Sequence, residues 1–410
     1  MIPYGRQFID EDDIRAVTEV LRSDWLTTGP KVVEFEQAIA DYVGAKYAVA
    51  VSSGTAALHC AMYAIGINPS DEVILSPITF AATANCVVYQ GATPVFSDVE
   101  PDTLLLDPEQ IESKITLNTR AITVVDYAGH PCDYDSLRKI ADKNNLVLVA
   151  DACHALGAEY KGKKVGFLAD LNIFSFHPVK HITSGEGGMI TTDNADYANR
   201  MRIFRNHGIT RDPKCFSPLS SALRPPASDS SWFYEMVDLG YNYRITDFQC
   251  ALGISQLRKL PKFLERRREI AALYDEALAD IPGIEPLGLR ADVLPAKQFA
   301  LHAPRSRPSN HAYHLYVIRI DSNVLGIDRN SLFAKLQEKG IGVNVHYIPV
   351  HLHPFYREKY HTGAGLFPIA EAAYEQIISI PMFPGMTDAD VEKVIKTMQT
   401  VIHHYRNGDC

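Results

Sequence analysis

The chain has 410 residues, 46% of them hydrophobic and 22% charged, the balance of a folded globular protein and not of a disordered or fibrous one. That length exceeds one ordinary compact core, so two units are expected, residues 1–261 and 262–410. A formal net charge of −9 excludes an extended nucleic-acid surface, while a local basic pocket for phosphate stays open.

Short apolar runs at Tyr47 to Val51, Glu72 to Ser76, Thr93 to Val99, Arg120 to Asp126, Leu146 to Asp151 and Leu171 to Phe176 read as strands alternating with helical stretches. Val147 to Ala150 is apolar at every position, as expected of a central parallel strand covered on both faces. Ser217 to Ser231 and Pro295 to Pro308 read as long loops, and 211–235 and 290–310 as irregular stretches. Asp247 to Ala279 reads as a long helix whose Arg266, Arg267 and Arg268 form a solvated face. Beyond it the pattern turns α+β: a strand at Tyr313 to Ile320, a helix near Arg329 to Lys339, a strand at Val343 to His346 and a last helix at Asp388 to His404.

The chemistry-bearing residues cluster where strands end. Ser52, Ser53, Gly54 and Thr55 follow the first strand and open a helix, a place to cradle a phosphate or simply a helix N-cap. Phe80, just past the second strand, is either a ring to stack on a flat cofactor or a core side chain. Asp151 ends the strand Leu146 to Ala150, where α/β proteins bind ligands, and either pairs with a pyridine nitrogen or caps a helix. His154 and Ser175 flank the same place.

Lys180 ends an apolar run, a poor position for a solvated ammonium and a good one for a Schiff-base lysine, whose burial raises the fraction of free amine. Gly185, Gly187 and Gly188 after it leave room for a ring close to the chain. The plainer reading of Lys180 is a snorkelling surface lysine.

The order of these features, a Gly-Thr turn, an aromatic, an aspartate at a strand end, then serine and lysine at a later one, is that of a fold-type I pyridoxal-phosphate enzyme. From about residue 3 to 403 the chain resembles the DegT/DnrJ/EryC1/StrS sugar aminotransferases, on Phe174 to Thr183, Glu186-Gly187-Gly188 and Gly240-Tyr241-Asn242-Tyr243-Arg244. Those motifs look like the branch that works toward pseudaminic acid. The resemblance implies an α/β fold: a large domain with a mostly parallel central sheet, plus a smaller C-terminal α+β domain.

It further implies pyridoxal 5′-phosphate, with pyridoxamine phosphate as the amine-carrying form, anchored at Lys180 with Asp151 on the ring nitrogen. Gly54, Thr55 and Ser175 would hold the phosphate, Phe80 would cover a ring face and His154 would add a contact. Asn242 would reach the neighbouring subunit's cofactor, making a homodimer with shared sites. Tyr4, Asp24, Trp25, Leu26, Thr27, His314, Leu315, Tyr316 and His346 look like the sugar-contacting elements. The implied reaction moves the amino group of L-glutamate to C4 of a UDP-linked 4-keto-6-deoxy-N-acetylhexosamine, or of another UDP- or dTDP-linked 4-keto sugar.

Two rival readings follow from the same residues. The related sugar 3-dehydratases carry histidine where this chain has Lys180, which disfavours dehydration here. A non-catalytic nucleotide-sugar sensor would keep the pocket without turnover. His346, His351 and His353 lack an acidic or thiolate companion at useful spacing, and Pro349 interrupts them, so no metal is expected. Seven cysteines without a Cys-x-x-Cys pair fit reduced thiols. With no apolar stretch of membrane-span length and no apolar leader core in Met1 to Arg6, no membrane partner and a cytoplasmic location are expected.

Overall fold

A computed structural model describes residues 1–218, 231–288 and 311–406. The expected loop at Pro295 to Pro308 and most of Ser217 to Ser231 lie outside these residues. Flanking the latter, Ile209–Thr210 pairs antiparallel with Glu235–Met236.

Seven strands form one sheet in the order Tyr47–Val51, Gly188–Thr192, Leu171–Ser175, Val147–Asp151, Thr119–Val125, Glu72–Leu75, Thr93–Phe96. All neighbours are parallel except those of Gly188–Thr192, which runs antiparallel to both its partners. The sequence reading missed this strand, because Met189 to Thr192 is a short run hidden behind a glycine-rich turn. Leu148, Val149, Ala150, Leu171 and Ile173 are wholly buried, since helices cover both faces and an apolar side chain suits either. The parallel strands finish at one edge, so the segments after Val51, Leu75, Asp151 and Ser175 share that edge.

The helix Gly54–Ala64 is buried on nearly every face, which its small residues permit, and Ser53 caps it by accepting from Ala56 N–H at 3.1 Å. A longer helix, Asp247–Leu278, starts with a capping box of Thr246 and Gln249. Its first half, through Cys250, Leu257, Leu260 and Leu264, packs in a core with Phe35, Phe174 and Phe176. Its second half, through Ile270, Tyr274 and Leu278, packs in the core of the C-terminal unit. The expected division at residue 261 therefore falls inside one continuous helix, at Pro261.

The C-terminal unit is a three-stranded antiparallel sheet, Ile284–Pro286, Tyr316–Ile320 and Ile377–Ile380, with the helices Arg329–Glu338 and Asp388–Arg406 packed on it. Three details differ from expectation. The central strand begins at Tyr316 because Tyr313 has φ +48°, a left-handed conformation no strand tolerates. Val343 to His346 makes only an isolated bridge, Asn344 to Ser379, and Val345 N–H turns instead to the Asn344 side chain at 2.8 Å.

Finally, Arg267 is not solvated. It is 0% exposed, and its Nη1 donates to the carbonyls of Tyr313, His314 and Met382 at 2.9, 3.2 and 3.1 Å, tying the long helix to both neighbouring strands.

Candidate active site

Asp151 closes the strand Val147–Asp151 and is 6% exposed. Its Oδ2 accepts from Thr83 Oγ1 at 2.6 Å and its Oδ1 from Cys153 N–H at 3.3 Å. No helix follows it; the chain turns, with Ala155 N–H bonded to Ala152 O at 2.9 Å, so the helix-cap alternative falls away.

Gly54 lies against this turn. A Cβ there would meet Ser175 Cβ at 2.9 Å and Oγ at 3.2 Å, with Cys153 Sγ at 3.5 Å, so glycine lets the start of the Gly54–Ala64 helix sit directly on Ser175. The turn thus does two jobs: Ser53 caps it, and its remaining N–H groups with Thr55 face the same edge.

The loop carrying Lys180 folds back on itself, with Phe176 N–H to Gly187 O at 2.8 Å and Lys180 N–H to His177 O at 2.9 Å. Its glycines differ in their surroundings: a Cβ on Gly188 would collide with the backbone of Ser53, one on Gly187 with the side chain of Ser184, and one on Gly185 would meet nothing within 4 Å. The expected ring-sized gap is therefore not at Gly188, which instead lets two loops of the site touch. Lys180 is partly buried. Burial lowers its pKa, opposed by neighbouring Cys153 and Asp151, and so favours a nucleophilic free amine.

The C-terminal unit closes the other side. His154 is 5% exposed, and its Nε2 meets Tyr347 Oη at 3.0 Å. Its ring lies 4.3 Å from that of His314, which lies 5.5 Å from His181. Burial holds all three imidazoles well below their usual pKa, hence neutral. His346 is buried too, pushed down to about 3, with Nδ1 at 2.8 Å from Ser379 Oγ.

The Tyr4 ring lies 5.4 Å from that of His346, tilted by 53°. It is brought there by an N-terminal segment pinned to the C-terminal unit through the Ile2–Ile341 bridge and the Met382 N–H bond to Tyr4 O at 3.0 Å. The next residue, Gly5, places its backbone against Val179, beside Lys180. Phe80 is 61% exposed with its ring 6.1 Å from Tyr347, so it is not the core residue of the plainer reading.

The structure thus brings Gly54, Thr55, Asp151, His154, Ser175, Lys180, His314, His346, Tyr4 and Phe80 to one region. Two expected sugar contacts lie elsewhere. Leu315 packs in the large core, bonded by its N–H to Ala128 O at 3.2 Å. Tyr316 is 1% exposed in the C-terminal core, its hydroxyl donating to Asp275 Oδ1 at 2.7 Å. Both are core residues because the strand beginning at Tyr316 puts them inside. Asp24, Trp25, Leu26 and Thr27 are exposed; Leu26 O accepts from Asp247 N–H at 3.0 Å and Thr27 bridges Thr246. Asn242 is exposed nearby, and its neighbour Tyr243 accepts from Ser52 N–H at 2.9 Å.

Thr83 and Tyr347 escaped the sequence reading. The signal for Thr83 was the pair Thr79 and Thr83, four residues apart in an otherwise apolar stretch. Tyr347 had none, since only folding brings it to His154. His346, His351 and His353 do not converge: His351 faces Glu371 at 3.1 Å. Among the described residues no group of His, Cys, Asp and Glu could hold a metal, six cysteines are free thiols, and no helix is long and apolar enough to cross a membrane.

The profile of the DegT/DnrJ/EryC1/StrS aminotransferase family matches residues 7–399. The chain belongs to this family. It is 38% identical over 402 residues to the spore coat polysaccharide biosynthesis protein SpsC of Bacillus subtilis, covering 98% of this chain and 97% of that one. Among solved structures, Helicobacter pylori PseC, an aminotransferase involved in pseudaminic acid biosynthesis, superposes with TM-score 0.85 at 30% identity, covering 98% and 99%. Spr1654 of Streptococcus pneumoniae in its pyridoxamine-phosphate form gives 0.87 at 31%, covering 100% and 99%, and it is also known in a pyridoxal-phosphate form.

The protein is therefore a pyridoxal-phosphate-dependent sugar aminotransferase of fold type I. The residues present suit that cofactor: a buried carboxylate for a pyridinium, a burial-weakened ammonium for its aldehyde, a glycine-cleared helix start beside Ser175, and an unpartnered Nδ1 on buried His154.

Proposed function

We propose that the enzyme transfers the amino group of L-glutamate to C4 of UDP-2-acetamido-2,6-dideoxy-β-L-arabino-hex-4-ulose, a step toward pseudaminic acid. The observation that carries this reading is the burial-weakened amine of Lys180 beside buried Asp151, in a chain so like PseC over its whole length. Pyridoxal phosphate supplies the electron sink that makes the donor's Cα proton labile.

Lys180 Nζ anchors the cofactor at rest; once released it takes the proton from the donor's Cα and, in the second half of the cycle, delivers one to C4 of the sugar. Asp151 keeps the ring nitrogen protonated. Gly54, Thr55 and Ser175 would hold the phosphate, Phe80 would cover a ring face and His154 would add a contact. Asn242 serves the phosphate of the neighbouring subunit, so the working unit is a homodimer in the cytoplasm. Tyr4, Asp24 to Thr27, His314 and His346 line the route of the nucleotide sugar.

Likeness to DesI, whose structure was determined with its TDP-sugar product, supports a second acceptor, another UDP- or dTDP-linked 4-keto-6-deoxy sugar. Incubation with glutamate and a panel of such sugars, with amine products identified by mass spectrometry, separates the two. Amination of the UDP-L-arabino-hexulose at the highest kcat/KM supports the first reading; preference for another sugar replaces it. A visible cofactor band that no amino donor alters would instead mark a non-catalytic sensor.

A further inference from the structure

Behind Asp151 stands a short chain of hydroxyls. Thr83 Oγ1 lies 2.6 Å from Asp151 Oδ2, and Thr79 Oγ1 lies 2.7 Å from Thr83 Oγ1. Thr79 and Thr83 are 2% and 0% exposed, on the segment that leads from the strand Glu72–Leu75 into the helix Ala82–Tyr89. An ionised carboxylate can only accept, so Thr83 donates to Asp151, and with its single proton committed it can only accept from Thr79. The carboxylate's charge therefore sets the direction of both bonds, and each reinforces the other in a site closed to water.

A purely structural role, stapling the first helical turn, explains the pair poorly. That turn is already held by its backbone, through Thr83 N–H to Phe80 O at 3.1 Å, Ala84 N–H to Ala81 O at 3.2 Å and Asn85 N–H to Ala81 O at 2.8 Å. Valine has the same shape as threonine and would fill the space without the hydroxyl. What the hydroxyls add is a directed hydrogen bond that aims the Asp151 carboxylate one way.

We propose that Thr83, backed by Thr79, is a positioning residue that fixes the orientation of the Asp151 carboxylate, and thereby sets how firmly the enzyme grips a protonated pyridine nitrogen. The inference rests on the assignment of Asp151 to that nitrogen. The test is titration of cofactor-free protein with pyridoxal phosphate, read by fluorescence and by the visible spectrum of the bound cofactor.

Thr83→Val should weaken binding about tenfold and alter the spectrum, since a charge-assisted bond is lost. Thr83→Ser should restore both to within about threefold of wild type, because it returns the hydroxyl. Thr79→Val should weaken binding about threefold alone and not at all in the Thr83→Val background, because its effect passes through Thr83. Wild-type affinity in Thr83→Val with weak binding in Asp151→Asn overturns the relay and leaves Asp151 in its role. Wild-type affinity in both overturns the Asp151 assignment and the relay with it. Equal loss in Thr83→Val and Thr83→Ser shows a steric role only and also overturns it. Should Thr83→Val fail to fold, an unchanged Thr79→Val overturns it as well.

Discussion

The floor of the site and its rim are satisfied in opposite ways. On the floor, buried groups lean on this chain: Asp151 on Thr83 and Cys153, His154 Nε2 on Tyr347, His346 on Ser379. On the rim, Trp25, Leu26 and Phe80 are 55%, 48% and 61% exposed, and Asn242 faces solvent. Buried polar groups must find partners within the fold or cost stability, whereas apolar groups grouped at a surface mark where another molecule docks. One chain thus supplies partners for these buried groups by itself, and the proposed sugar nucleotide and second subunit would meet the exposed ones.

The sharpest break of that contrast comes from Lys180→Ala, which on the proposed mechanism removes both anchor and proton carrier. Transamination should fall by about 10³-fold or more with loss of the visible cofactor band, while melting temperature stays near wild type. Next is the buried brace. Arg267→Met leaves three carbonyls without their donor and should cost about 2–3 kcal/mol in denaturant titration, an effect no rim residue should match.

Acid probes the floor as a whole. His154, His181, His314 and His346 have folded pKa values below that of an unfolded histidine, so between those values the unfolded chain binds the extra protons. Stability is then full above about pH 6.5 and lost on acidification, by at most about 1.4 kcal/mol per pH unit for each imidazole. Melting curves from pH 8 to 5 should show the decline, and His346→Gln should make it shallower.

On the rim, Asn242→Ala should leave melting unchanged, within about 0.5 kcal/mol, yet weaken cofactor binding. If the residue serves the neighbouring subunit, equal mixing of Asn242→Ala with Lys180→Ala should restore about a quarter of the wild-type sites, because each mixed dimer holds one intact site. No recovery on mixing would place Asn242 in its own subunit's site.

How much of this was legible beforehand varies with the residue. Asp151, Ser175 and Lys180 could be read because each follows an apolar run, and a parallel strand delivers its C-terminal end to a common edge. Leu315 and Tyr316 misled because family likeness names a segment, whereas the start of a strand decides which of its side chains point inward. Arg267 misled because three consecutive arginines on a helix look alike, although one of them faces the core at every turn.

Local pattern alone determined the α/β class, the strand-end positions of Asp151 and Ser175 with Lys180 in the loop that follows, and the cofactor chemistry those residue types allow, since each depends on neighbours within a few residues. Tertiary structure alone decided the antiparallel insertion of Gly188–Thr192, the docking of Tyr4 and Tyr347 onto the site, and the Thr79–Thr83–Asp151 chain. Sheet assembly brings Thr83 to Asp151 and seats Gly188–Thr192 between its partners, while the packing of the C-terminal unit brings Tyr347 to His154, joining segments far apart in sequence.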